Sequence, residues 1–115
     1  DGKTALIIAS EQGLVDIATV LVDNGAPINE KDDDHGTTAL MYACAKGLTE
    51  VAVLLVGKGA DMGAKNRYGY TALMLACENG HIEVAALLVG KGAAVGDKDK
   101  YGYTALMYAC REGLT

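Results

Sequence analysis

The chain has 115 residues, half of them apolar and 22% charged, with a mean hydropathy of +0.16. That is enough for one small packed domain, too little for two, and too apolar for disorder. A net charge of −5 with no Trp and no Phe argues against nucleic-acid binding, which draws on phosphate neutralisation and aromatic stacking.

Taken in chain order, the sequence repeats itself. Thr-Ala-Leu begins at Thr4, Thr38, Thr71 and Thr104. Gly2, Gly36, Gly69 and Gly102 each stand two residues earlier, and Gly13, Gly47, Gly80 and Gly113 each follow the Thr by nine. The pair Gly-Ala closes the units at Gly25-Ala26, Gly59-Ala60 and Gly92-Ala93. One supersecondary unit therefore recurs about every 33 residues, over residues of about 1–32, 33–65 and 66–98, with a partial copy at 99–115. The first step is one residue longer than the others. The extra residue lies in the loop from Glu30 to His35, where insertions between repeats are expected.

The third unit illustrates the elements. Thr71 is a candidate N-cap for a short apolar helix from Ala72 to Cys77, and Gly80 suits the left-handed turn that ends it. A second helix over Ile82 to Val89 places Val84, Leu87 and Leu88 at i, i+3 and i+4, with Glu83 complementing its N-terminus. Leu87 is expected to serve both neighbouring repeats. Gly92 ends this helix, and the segment to Gly102 has turn composition. A helix pair this short cannot bury its apolar face alone, so units must stack.

These residues resemble the ankyrin repeat family. Its unit reads D-x-x-G-x-T-P-L-H-x-A, then G-H/L-x-E-V, L-L and G-A-D-x-N. Gly69, Thr71, Leu73, Ala76, Gly80, His81, Glu83, Val84, Leu87, Leu88, Gly92 and Ala93 match it in phase. The resemblance implies an all-α, ankyrin-type α-solenoid of stacked helix-turn-helix repeats with protruding loops. Two departures recur. Ala5, Ala39, Ala72 and Ala105 replace the family Pro, and Ile7, Met41, Met74 and Met107 replace the family His. Ala keeps good helix propensity, and Met can fill the space of the imidazole. Asn29 matches the family Asn, whereas Gly63 and Gly96 replace it and forgo a side-chain hydrogen bond. Gly57 and Gly90 fall near second-helix ends, where Gly costs ~1 kcal/mol against Ala.

No residue cluster points to chemistry. Cys44, Cys77 and Cys110 recur at one repeat position, and stacked helices ~10 Å apart hold such residues too far apart for a disulfide or a shared metal. They are expected to be small buried packing residues, and as free thiols they suit the cytoplasm. The run Asp32-Asp33-Asp34 lacks the Gly and Glu of a calcium loop and is expected to be a solvated turn. Gly57-Lys58-Gly59 and Gly90-Lys91-Gly92 follow helices, unlike phosphate loops. Ser10 is the sole Ser, and neither His35 nor His81 offers it a local base. Apolar runs fall far short of the ~20 residues of a membrane span, and no secretory leader pattern is visible. Neither a cofactor nor a metal is expected, and the chain is expected to act as a monomer.

What remains is a recognition surface. In the resembled family, loop tips and first-helix faces form a concave groove for protein partners. By position this groove takes Arg67, Tyr68 and Tyr70, then Lys100, Tyr101 and Tyr103, with Asp34, His35 and Thr37 from the second unit. From the first helices come Glu11, Gln12, Ala45, Lys46, Glu78, Asn79, Arg111 and Glu112. Tyr offers large contact area at little rotamer cost. Tyr68 and Tyr101 can alternatively serve only to pack adjacent loop tips. Tyr42 and Tyr108, which alternate with Ile8 and Leu75, are expected to pack between first helices. Two functions follow: a protein-binding scaffold without catalysis, or a regulatory or targeting segment of a larger enzyme or membrane protein. The apolar first and last units suggest a longer array.

Overall fold

A computed structural model describes residues 3–111. Gly2, Glu112, Gly113 and the second helix expected of the fourth unit lie outside the described residues. Those described form α1 (Ala5–Glu11), α2 (Val15–Asp23), α3 (Ala39–Lys46), α4 (Thr49–Gly57), α5 (Ala72–Glu78), α6 (Ile82–Gly90) and α7 (Ala105–Arg111), with no strand among them. Helices α1, α3, α5 and α7 pack in sequence as one row, and α2, α4 and α6 form a second row behind it.

Each first helix starts at its Thr. The hydroxyl oxygens of Thr4, Thr38 and Thr71 accept from the backbone N–H of Ile7, Met41 and Met74 at 3.1, 3.2 and 3.3 Å, satisfying a donor with no partner inside the helix. The Met residues do more than fill space. The sulfurs of Met41 and Met74 accept from the N–H of Thr38 and Thr71 at 3.5 Å, completing a reciprocal cap in which a weak acceptor takes the usual Glu or Gln place. At the turn into the second helix Gly47 has φ +69°, and a Cβ there would lie 2.5 Å from the His81 ring. That ring crosses to the preceding repeat, with Nε2 3.0 Å from the Ala45 carbonyl oxygen. A carbonyl only accepts, so Nε2 carries the proton.

The core repeats like the sequence. Leu6, Leu40 and Leu73 are buried at one position, Ile7, Met41 and Met74 at the next, and Leu55 and Leu88 anchor the second row. Leu87 differs from expectation: it is half-buried, while Val84 and Leu88 are fully enclosed. Leu87 still packs against the core from its half-buried position. Cys44 and Cys77 are buried, but Cys110 is exposed. Leu106 and Met107 are also exposed, at 68% and 51%. The reason is geometric. Helix α5 has first helices on both sides, whereas α7 has a first-helix neighbour, α5, on one side among the described residues. Gly57 and Gly90 are the last residues of α4 and α6.

The loops stack as well. Arg67 N–H donates to the His35 carbonyl at 2.8 Å, and Lys100 N–H to the Tyr68 carbonyl at 2.9 Å. Asn29 Oδ1 accepts from the Asp61 N–H of the next repeat at 2.8 Å, a bond that Gly63 and Gly96 have no side chain to make. The inserted residue is where the spacing puts it. Asp32 N–H donates to the Thr37 carbonyl across one more residue than separates Asn66 from Tyr70 or Asp99 from Tyr103 in the matching bonds.

Candidate functional site

The loop bases are built around one acceptor side chain per repeat. Asn66 Oδ1 accepts from the N–H of Tyr68 and Tyr70 at 2.9 and 3.0 Å. Asp99 Oδ1 does the same for Tyr101 and Tyr103 at 2.8 and 2.9 Å. Asp32 Oδ1 accepts from Thr37 N–H at 2.9 Å. Such side-chain-to-backbone bonds hold a tight turn without a regular ladder.

Asp32 corrects the reading of its run as a solvated turn: it is buried, while Asp33 and Asp34 are exposed. Its Oδ2 accepts from the Tyr42 hydroxyl, and Asp99 Oδ2 accepts from Tyr108 in the same way. Burial pushes both carboxyl pKa values up, but the tyrosine and backbone hydrogen bonds outweigh it and hold them below the ordinary value. Burial, with the facing carboxylate, raises both phenol pKa values. Tyr42 and Tyr108 thus join a loop base to a first helix, a role beyond packing.

From these anchors the rings line up. His35 and Tyr68 have centroids 5.4 Å apart, Tyr68 and Tyr70 6.0 Å, Tyr70 and Tyr108 5.8 Å, and Tyr108 and Tyr103 5.6 Å. The run crosses from the loop of the second repeat to α7. The run ties the loops to the first-helix row through Tyr108, which is itself buried. Tyr101 stands outside the run and is 62% exposed.

The charged candidates sort by what they touch. Arg67 Nη2 donates to the Asp33 carbonyl at 3.1 Å, so this cation braces the acidic loop. Asp34 is exposed, with Oδ2 3.5 Å from His35 Nδ1. Lys100 is exposed at its loop tip. On the first helices, Arg111 lies 5.1 Å over the Tyr108 ring and 3.5 Å from Glu78. Lys3 lies 5.3 Å over Tyr42 and 3.0 Å from Glu11. Lys46 Nζ donates to the Glu11 carbonyl at 3.2 Å. Asn79 Nδ2 donates to the Leu75 carbonyl at 2.8 Å, capping α5 more than reaching outward. Gln12 is exposed, and Ala45 and Thr37 are half-buried along the groove.

Sequence reasoning missed the Asp32–Tyr42 and Asp99–Tyr108 pairs. A signal was present: Asp at the loop base co-occurs with Tyr on the following helix, and Asn66 co-occurs with Leu75.

The geometry is that of stacked helix-turn-helix repeats with stacked loops. A family model described as Ankyrin repeats (3 copies) matches residues 1–66 and 49–115. The chain belongs to the ankyrin repeat family. Ankyrin repeats generally serve as protein–protein interaction modules, and ankyrin domains are typically non-catalytic. A search among curated proteins found no match. No described helix of this ankyrin repeat chain is long and apolar enough to cross a membrane. Burial raises the Cys44 thiol to about 12 and shifts Cys77 in the same direction, which suppresses the reactive thiolate. Ser10 is fully buried, and its hydroxyl meets no partner among the described residues.

Proposed function

We propose that this chain is one ankyrin domain, with units at about 1–32, 33–65, 66–98 and 99–115, acting as a protein-binding scaffold without catalysis of its own. The observation that carries the reading is the aromatic run from His35 through Tyr68, Tyr70 and Tyr108 to Tyr103, spanning three repeats. Interface anchors are enriched in Tyr and Arg and depleted in Asp and Glu. Tyr68, Tyr70, Tyr101 and Tyr103, with Arg67 and Lys100, form the energetic centre. Glu78, Asn79 and Arg111 extend it along the first helices. Asp34 and His35 border it, and the acidic loop mainly sets association rate and salt dependence. The protein acts as a monomer, and its buried free thiols suit a reducing, cytoplasmic setting.

The test compares two double variants against a partner identified by affinity capture and mass spectrometry. Tyr70→Ala with Tyr103→Ala is expected to weaken binding by more than ~1.4 kcal/mol, about tenfold. Asp33→Asn with Asp34→Asn is expected to lose less, mostly in association rate. The reverse ranking overturns the assignment.

A further inference from the structure

The groove is not uniform along its length. At the first-helix position that carries Tyr42 and Tyr108, the third repeat carries Leu75. Tyr108 is buried and fills its place between the loop and the helix row, with Tyr70 and Tyr103 against it. Leu75 is smaller and leaves a cavity of about 240 Å³ between the second and third repeats. Four rings surround it, those of His35, Tyr42, Tyr68 and Tyr70, with Met41 and Leu75 below.

Three observations indicate what fits there. No lysine or arginine is among the described residues that line the cavity. The loop that contributes His35 carries the exposed carboxylates Asp33 and Asp34, the latter with Oδ2 3.5 Å from His35 Nδ1, on a chain with net charge −5. Finally, this chain already seats cations on tyrosines of the same register, Lys3 over Tyr42 and Arg111 over Tyr108. Ring faces attract cations through their quadrupole, most strongly where water is partly excluded.

We propose that this cavity receives an arginine side chain from an extended segment of the protein partner, its stem over Met41 and Leu75 and its guanidinium against the Tyr68 and Tyr70 rings. Arginine fits better than lysine because its planar group stacks on rings and its fork still reaches a neighbouring carboxylate. Asp34 is the exposed carboxylate beside His35 and supplies that contact. The proposal rests on the groove being the partner-facing surface, and it adds the chemistry of one anchor.

Nuclear magnetic resonance titration of the intact chain tests it with three blocked tripeptides, acetyl-Gly-X-Gly-amide, where X is arginine, its neutral isostere citrulline, or norleucine. The arginine peptide is expected to shift the His35, Tyr68 and Tyr70 ring signals saturably. Citrulline should bind at least ~5-fold more weakly, the size of one favourable cation–ring contact. Tyr68→Phe keeps the ring and should retain the response, Tyr68→Leu should lose it, and Leu75→Tyr should fill the cavity and abolish it. Equal affinities for the three peptides overturn the cationic anchor and leave the groove reading standing. Shifts confined to other residues, or none for any peptide, overturn the anchor too. The partner-binding reading fails separately, when the Tyr70 and Tyr103 double variant still captures partner at full affinity.

Discussion

The loops entering the third and fourth repeats carry the same Tyr-Gly-Tyr string, yet their bases differ. In both, one oxygen of the base residue holds two backbone N–H groups in nearly equal geometry. The difference is the second polar atom. Asp99 turns it to the buried Tyr108 hydroxyl, while Asn66 faces a repeat whose matching helix residue is Leu75. One loop is thereby pinned to its helix. The other leaves the cavity between the second and third repeats. The backbone of a repeat thus tolerates either solution, and the side-chain pair decides whether the groove is filled or open.

The largest effect tests whether the two regions share a common core. Leu55 and Leu88 are both fully buried, so Leu55→Ala and Leu88→Ala are each expected to cost ~2–5 kcal/mol. Leu21 holds the same position in the first repeat but is half-buried, so Leu21→Ala should cost less. Denaturant midpoints of the three variants check this, and equal losses at Leu21 and Leu55 contradict nearest-neighbour stacking.

The next effect separates the loop bases. Asp99→Ala strands two backbone donors and takes the carboxylate from the buried Tyr108 hydroxyl, whereas Asn66→Ala strands only two backbone donors. Asp99→Ala is therefore expected to be worse by roughly 1–2 kcal/mol, the cost of losing one hydrogen bond to a charged group. Chemical denaturation measures the difference, and equal losses remove the pinning role assigned to Tyr108.

A comparable contrast lies in the glycines of the two strings. Gly69 and Gly102 have φ of +81° and +82°, but a Cβ on Gly69 would sit 2.7 Å from Lys100 N, while none of the described atoms lies within 4 Å at Gly102. Both Ala variants pay for the left-handed backbone, about 1 kcal/mol. Gly69→Ala must also part the stacked loops and should lose ~1–3 kcal/mol more. Thermal melts of the pair that coincide disprove loop-on-loop contact as a constraint.

The smallest effect is on pH dependence. The folded-state carboxyl pKa values of Asp32 and Asp99 lie below the ordinary carboxylate value. Each therefore adds stability that is fully present above ~pH 5 and drains away as pH falls through the folded pKa. Urea midpoints from pH 7 to pH 3 should fall less steeply for Asp99→Asn than for the parent chain. An unchanged slope rules Asp99 out as a contributor.

The repeat, its helices and the loop insertion were legible because each is local. Thr caps, Gly turns and apolar spacing act within a few residues and recur in phase, so one unit explains the others. Asp32 was misread for the opposite reason. In the run Asp32-Asp33-Asp34 nothing local distinguishes the three carboxylates, and only the approach of α3 buries the first against Tyr42. Leu87 and Leu88 show the same limit: helical spacing assigns both to one face, yet packing encloses Leu88 fully and Leu87 only in part. Cys110 follows Cys44 and Cys77 in sequence but not in burial, since burial depends on which helices flank it.

The sequence by itself determined the repeat unit, the helix ends and the residues displayed by each loop, because backbone preference and apolar period are properties of short segments. Only the tertiary structure decided which of those residues meet. Arg67 turns back to the Asp33 carbonyl, His35 joins the tyrosines of the next loop, and Leu75 opens a space that Tyr108 closes. Each of these contacts links residues about one repeat apart, or depends on side-chain volume at a shared helix position. Stacking brings such residues within contact distance, and no local preference encodes which pair will fit.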